Sequence, residues 1–173
     1  PGDLQGKPVA HASIDWNTNE IAAIMTDGKY FTHGSTVVSQ ITDPQCLSWQ
    51  AIRRVFPDRY LLCGMTVPKA VRHHYLLVDS QTRSSIKSLD RDITCDRSYH
   101  YRSISEMIEI RRSTTRVLLT SFSGANHIDV IAIDRQSITA IGSMIYDGSY
   151  HTSASVIKST DDSVTVGFGR HES

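Results

Sequence analysis

The stretch YLLVDSQTRSSIKSL, residues 75–89, sets an apolar run against a polar break that opens on Asp79, and then resumes with a run that alternates. Residues 130–144, VIAIDRQSITAIGSM, repeat the phrase with Asp134 in the place of Asp79. Short apolar runs bounded by turn formers are the grammar of strands and tight turns. Two copies of one phrase predict two copies of one strand-turn-strand element.

Working outward, Arg59-Tyr-Leu-Leu and Arg116-Val-Leu-Leu each open a strand upstream of these phrases. An N-terminal echo, NEIAAIMTDGKYFTHGS, carries its own apolar run and an Asp27-Gly28 turn, and SVTVGFGRHE near the C-terminus matches only an opening strand. The rest of the chain is rich in Ser, Thr, Val and Ile. Strands are expected near 8–15, 21–26, 29–33, 36–41, 60–66, 74–79, 84–89, 104–111, 116–123, 128–134, 138–144, 153–158 and 163–169. One helix is expected, DPQCLSWQAIRRVF at 43–56, with Asp43 as its cap, Pro44 in the first turn, and Leu47, Ile52, Val55 and Phe56 on one face. The segment SISEMIEIRR, 103–112, is read as strand.

The expected fold is mainly β, with antiparallel sheets in repeats of about 50 residues within one β-rich domain. The repeat units fall near 8–42, 59–90 and 103–145, with a partial unit at 153–173. Such units resemble the blades of the β-propeller superfamily, in the broad sense that includes WD40 and kelch repeats. The resemblance rests on pattern: no Gly-His and Trp-Asp pair closes each unit, the single DW at 15–16 is reversed, and the double glycine of kelch is absent. It implies a rigid body that presents loops to a protein partner. Closed propellers take about four to eight blades, so three arrangements stay open. The chain is part of a larger propeller, as Pro1 in place of an initiator methionine also suggests, or it pairs with another chain, or it forms two packed sheets with one short helix.

Composition narrows the class. Hydrophobic residues make up 39% and charged residues 21%, a soluble globular balance without the long apolar run of a membrane span. Cys46, Cys63 and Cys95 form no CxxC pair, and no Asn-x-Ser/Thr sequon occurs; both suit a reducing, cytoplasmic or nuclear location. Net charge is zero, yet residues 51–120 hold 13 Lys/Arg against 7 Asp/Glu, while the remainder is correspondingly acidic. That basic middle third makes nucleic-acid binding an alternative function.

Partner contacts are expected from Arg72, His73, Arg97, Tyr99, His100 and Arg102, with Arg53 and Arg54 as second choices, because the connections 66–74 and 90–103 concentrate charge and aromatic rings. The His73-His74 pair is expected in a loop or at an edge, where adjacent side chains on a strand would face opposite ways. A further alternative is enzymatic. His11-x-Ser13 and His151-x-Ser153 resemble the paired motifs of the two-histidine phosphoesterases, which implies that His11 and His151 exchange protons while Ser13 and Ser153 hold phosphate. No GxGxxG, Walker loop, HExxH or GxSxG is present, and Asp161-Asp162 read as turn formers. No metal and no cofactor is expected.

Overall fold

The computed structural model of the chain describes residues 9–15, 20–25, 29–32, 38–40, 46–66, 72–82, 84–92, 103–123, 127–145, 153–159 and 164–169. All regular structure among the described residues is β. The first sheet is β1 (Val9–Asp15), β2 (Glu20–Met25), β3 (Lys29–Thr32) and β4 (Val38–Gln40), in that order. β5 (Cys46–Phe56), β6 (Arg59–Thr66), β7 (Arg72–Asp79) and β8 (Ser85–Asp92) make the second, and β9 (Ser103–Arg112), β10 (Arg116–Ser123), β11 (His127–Ile133) and β12 (Ile138–Ile145) the third. β13 (Ser153–Ser159) pairs with β14 (Val164–Gly169) in a two-stranded sheet. Every pairing is antiparallel between chain neighbours, the meander expected of antiparallel blades.

The expected helix at 43–56 is corrected. Cys46–Phe56 is strand β5, and residues 43–45 lie outside the described residues. The misreading has a physical cause. β5 carries three irregularities against β6, between Cys46 and Ser48, Trp49 and Ala51, and Arg54 and Phe56. Each bulge adds a residue and breaks the period of two. Trp49, Ala51, Ile52, Val55 and Phe56 are consequently the buried positions, a spacing of three and four that imitates a helical face.

The chain divides into two compact units, Pro1–Asp92 and Ile93–Ser173. In the first, β1 and β2 pack on β5, and one cluster joins the two sheets: Ala22 and Ile24 of β2 meet Trp49, Ile52, Tyr60, Leu62, Leu76 and Val78 of the second sheet. The Ser13 hydroxyl crosses the same interface and donates to the Ile52 carbonyl at 2.7 Å. In the second unit, β13 lies against β9 and β10, and Leu118, Ile128 and Ile131 are fully buried.

The repeated phrase has one structural meaning. Asp79 ends β7 and Asp134 follows β11, the third strand of each complete repeat, and both cap the turn into the fourth strand. Asp79 Oδ1 accepts the main-chain N–H groups of Gln81 at 2.9 Å and Thr82 at 2.8 Å. Asp134 Oδ1 accepts those of Gln136 and Ser137, both at 2.7 Å, and its Oδ2 takes the Ser137 hydroxyl at 2.6 Å. The Asp27-Gly28 echo falls between β2 and β3, one strand out of phase, and outside the described residues. Arg59 ties this turn to its own strand: its Nη1 reaches Asp79 Oδ2 at 2.7 Å and Asp58 Oδ2 at 3.0 Å, and in the other copy Arg116 donates to the Ser113 carbonyl.

These hydrogen bonds favour the ionised carboxylates. The Thr82 and Gln81 main-chain N–H groups hold the Asp79 carboxyl below the ordinary aspartate range, and the Ser137 hydroxyl followed by the Gln136 N–H does so for Asp134. A folded-state value below the unfolded one gives stability that is complete above the ordinary value of about 3.9 and is lost as pH falls through the depressed value. Carboxyl-carbon NMR titration is expected to place both midpoints below that of an ordinary aspartate. Ser137→Ala raises the Asp134 midpoint and leaves Asp79 unchanged; equal movement of both would show that the turn bonds are not the cause.

Candidate partner-binding surface

Two of the candidates, Arg72 and His73, open β7 at one end of the second sheet, whereas Arg53 and Arg54 lie toward its other end, beside the Pro57–Asp58 turn. β7 runs from Arg72 to Asp79 with only its first and last positions outside the core, and β8 pairs along it. Arg72 stands opposite Asp92, His73 opposite Arg91, and His74 opposite Asp90. The outer strand has no buried residue and carries Lys87, Asp90, Arg91 and Asp92.

The loop or edge expected for His73 and His74 is corrected. Both lie inside β7 and both are fully buried. Their side chains do point to opposite faces, as neighbours on a strand must, but both faces of β7 are covered, so alternation separates the rings without exposing either.

His74 is the centre of a row that crosses the sheet. Trp49 is opposite Gly64, Gly64 opposite His74, and His74 opposite Asp90. Gly64, lacking a side chain, leaves the space above β6 open. The Trp49 ring reaches across it to 5.8 Å from the imidazole, inclined at 42°. On the other side, His74 Nδ1 lies 2.6 Å from Asp90 Oδ1. A buried ring with an indole on one side and a carboxylate on the other has a fixed orientation, and it pins the register of an outer strand that has no apolar stripe of its own.

Arg72 is held differently. Its Nε is 2.5 Å from Asp92 Oδ1, but the two side chains are 51% and 75% exposed. An ion pair so exposed is worth about 0.2–1 kcal/mol, so Arg72 exchanges Asp92 for another carboxylate at little cost. Arg54 is half-buried and turned back on its own strand end, with Nε and Nη2 donating to the Pro57 carbonyl at 3.2 and 2.6 Å. Arg53 is half-buried opposite Leu61. Arg97, Tyr99, His100 and Arg102 lie outside the described residues.

Of the phosphoesterase candidates, His11 and Ser13 lie on β1 and Ser153 opens β13, while His151 is outside the described residues. The Ser13 hydroxyl is committed to the Ile52 carbonyl. Its observed part is to hold β1 to β5.

Sequence reasoning missed the Trp49–His74–Asp90 row. The available signal was Gly64 inside the apolar run YLLCGMT, since a glycine within a strand marks a place where something approaches closely.

No protein-family model and no curated protein matches the chain. Among solved structures, a chain in the crystal structure of a mitotic checkpoint complex superposes with a TM-score of 0.57 and 9% identity, covering 82% of this chain and 42% of that one. The chain has a β-propeller-like fold. At this identity the likeness speaks for the fold alone. The propeller-like repeats are the four-stranded meanders β5–β8 and β9–β12, preceded by β1–β4, and the chain spans less than half the length of that neighbour.

Proposed function

We propose that the chain is a non-enzymatic protein-interaction module, in which a β-propeller-like body presents the β7–β8 end of its second sheet to an acidic segment of a partner protein. The observation that carries this reading is the contrast between two neighbouring pairs. His74–Asp90 is anchored under Trp49 and fixes the strands, while Arg72–Asp92 stands in solvent on the same ladder and is free to change partner. A rigid frame with a weakly held guanidinium loses little entropy on binding, and arginine suits bidentate contact with a carboxylate. Arg97, Tyr99, His100 and Arg102, which follow β8 in sequence, are carried in this reading as further contact candidates on residue type alone. The solved neighbour comes from a multi-protein complex, which agrees with a scaffold role.

The test is quantitative co-purification from the source cells with a tagged chain, followed by measurement of the affinity of each stoichiometric partner. Arg72→Glu is expected to weaken that partner about tenfold or more, with about 1.4 kcal/mol lost for each factor of ten. Unchanged affinity would overturn the assignment of this surface. A ligand that proves to be nucleic acid, with affinity falling steeply as salt rises, would replace it with the alternative reading.

A further inference from the structure

The first hairpin of the second sheet and that of the third differ around an arginine that they share. β5 and β6 close with Phe56 opposite Arg59 around Pro57-Asp58, while β9 and β10 close with Arg112 opposite Arg116 around Ser113-Thr114-Thr115. In the second sheet the turn supplies its own acid, since Asp58 Oδ2 lies 3.0 Å from Arg59 Nη1. The turn of the third sheet carries three hydroxyl residues and no acid, and a second arginine stands opposite the first. Like charges directly opposite on a ladder are destabilising.

This turn is accessible. Ser113 and Thr114 are exposed and Thr115 is half-buried. The Ser113 hydroxyl is committed to the Thr115 carbonyl at 2.8 Å, and Arg116 Nη1 donates to the Ser113 carbonyl, which holds the guanidinium against the turn. Thr114 sits at the tip. It follows Arg111 and Arg112 by three and two residues, so two cations precede one exposed hydroxyl, a charge pattern by which acidic kinase clefts select substrates. Such clefts take an extended segment, and the hairpin end can supply one. The register shifts between Val117 and Leu118, so two rungs lie beyond the irregularity, Val117 with Arg111 and the like-charged Arg116 with Arg112. A ladder end closed so weakly opens at little cost.

We infer that Thr114 is a phosphorylation site for an arginine-directed protein kinase, and that the phosphate then closes the turn that admitted the kinase. Thr114 Oγ1 attacks the γ-phosphorus of ATP, its proton passes to the base of the kinase, and the bond to the bridging oxygen breaks with release of ADP. The product carries about −1.5 to −2 charges at pH 7 and accepts charge-assisted hydrogen bonds from arginine. It gives Arg116, with Arg112 opposite, the counter-charge that Asp58 gives Arg59. An aspartate in the turn supplies that charge permanently, whereas a hydroxyl supplies it only when modified. The site lies in the Ile93–Ser173 unit, and the inference does not rest on the partner surface at β7–β8.

The test is incubation of the intact 173-residue chain with a purified arginine-directed kinase and magnesium ATP, followed by mass spectrometry and thermal unfolding. The expected result is one phosphate, mapped to Thr114, whose incorporation falls at least about tenfold in Thr114→Ala and in Arg111→Ala combined with Arg112→Ala. The phosphorylated chain is expected to unfold about 2–4 °C higher than the unmodified one. Arg116→Ala, which leaves the residues before Thr114 intact, should still take the phosphate but lose that rise. No incorporation, or incorporation that Thr114→Ala leaves unchanged, would overturn the site. A phosphate that does not raise the midpoint would overturn the closing of the turn. An equal rise produced in the unmodified chain by millimolar inorganic phosphate would replace the modification with a site for the free anion.

Discussion

Leu62→Ala is expected to lower the free energy of unfolding by about 2–5 kcal/mol. Leu62 is fully buried at the middle of β6, opposite Ile52 on β5 and Leu76 on β7, and beneath Ala22 and Ile24 of the first sheet. Its neighbours are fixed by two hydrogen-bonded ladders. The ladders prevent the collapse that would shrink the cavity, so the loss should fall in the upper part of the range. Ala22 is too small to fill the gap. Urea unfolding of wild type and variant, followed by far-ultraviolet circular dichroism, measures it directly. A loss under about 1 kcal/mol, the size of a typical surface effect, would mean that the first and second sheets do not close on one another through this cluster.

The strands were legible wherever the apolar pattern kept a period of two. β10 read directly as strand, and so did the phrases around Asp79 and Asp134, whose turns need one residue type, an aspartate that accepts main-chain N–H groups; SISEMIEIRR in β9, with two register shifts, had a pattern ambiguous between helix and strand. β5 was illegible because its bulges shift the buried set into helical spacing. Pairings between strands distant in sequence were also hidden. Nothing in the local pattern connects Trp49 with His74, twenty-five residues on, or His74 with Asp90. Only the ladder brings them into one row.

That row also shows where the two repeats depart from one another. His74 lies five residues before Asp79, and Asp129 five before Asp134; both are fully buried, and each faces the outer strand, at Asp90 and Ser143 respectively. A polar residue in the middle of an apolar strand is thus part of the repeat, while its chemistry is not. In the second sheet the imidazole fixes a charged outer strand. In the third, the outer strand is uncharged and the buried Asp129 takes the same position, so the sheet with the charged outer strand and the sheet with the uncharged one differ in their interiors as well.

The carboxylate brings with it a second expected effect, of opposite sign to the first. Thr120→Val should raise stability by about 1–3 kcal/mol, the cost of a buried polar atom left without a hydrogen bond. Thr120 is fully buried on β10, directly opposite Asp129 on β11 and Met107 on β9, and its Oγ1 has no hydrogen-bond partner. Valine keeps the branched shape, suits a strand, and removes the hydroxyl. Because the site lies in the Ile93–Ser173 unit and Leu62 in Pro1–Asp92, the two substitutions should act additively within about 0.5 kcal/mol. A Thr120→Val chain less stable than wild type would reverse the reading: the hydroxyl would then serve Asp129, directly or through a buried water, and the buried carboxylate, rather than the apolar packing around it, would set the register of β10 and β11.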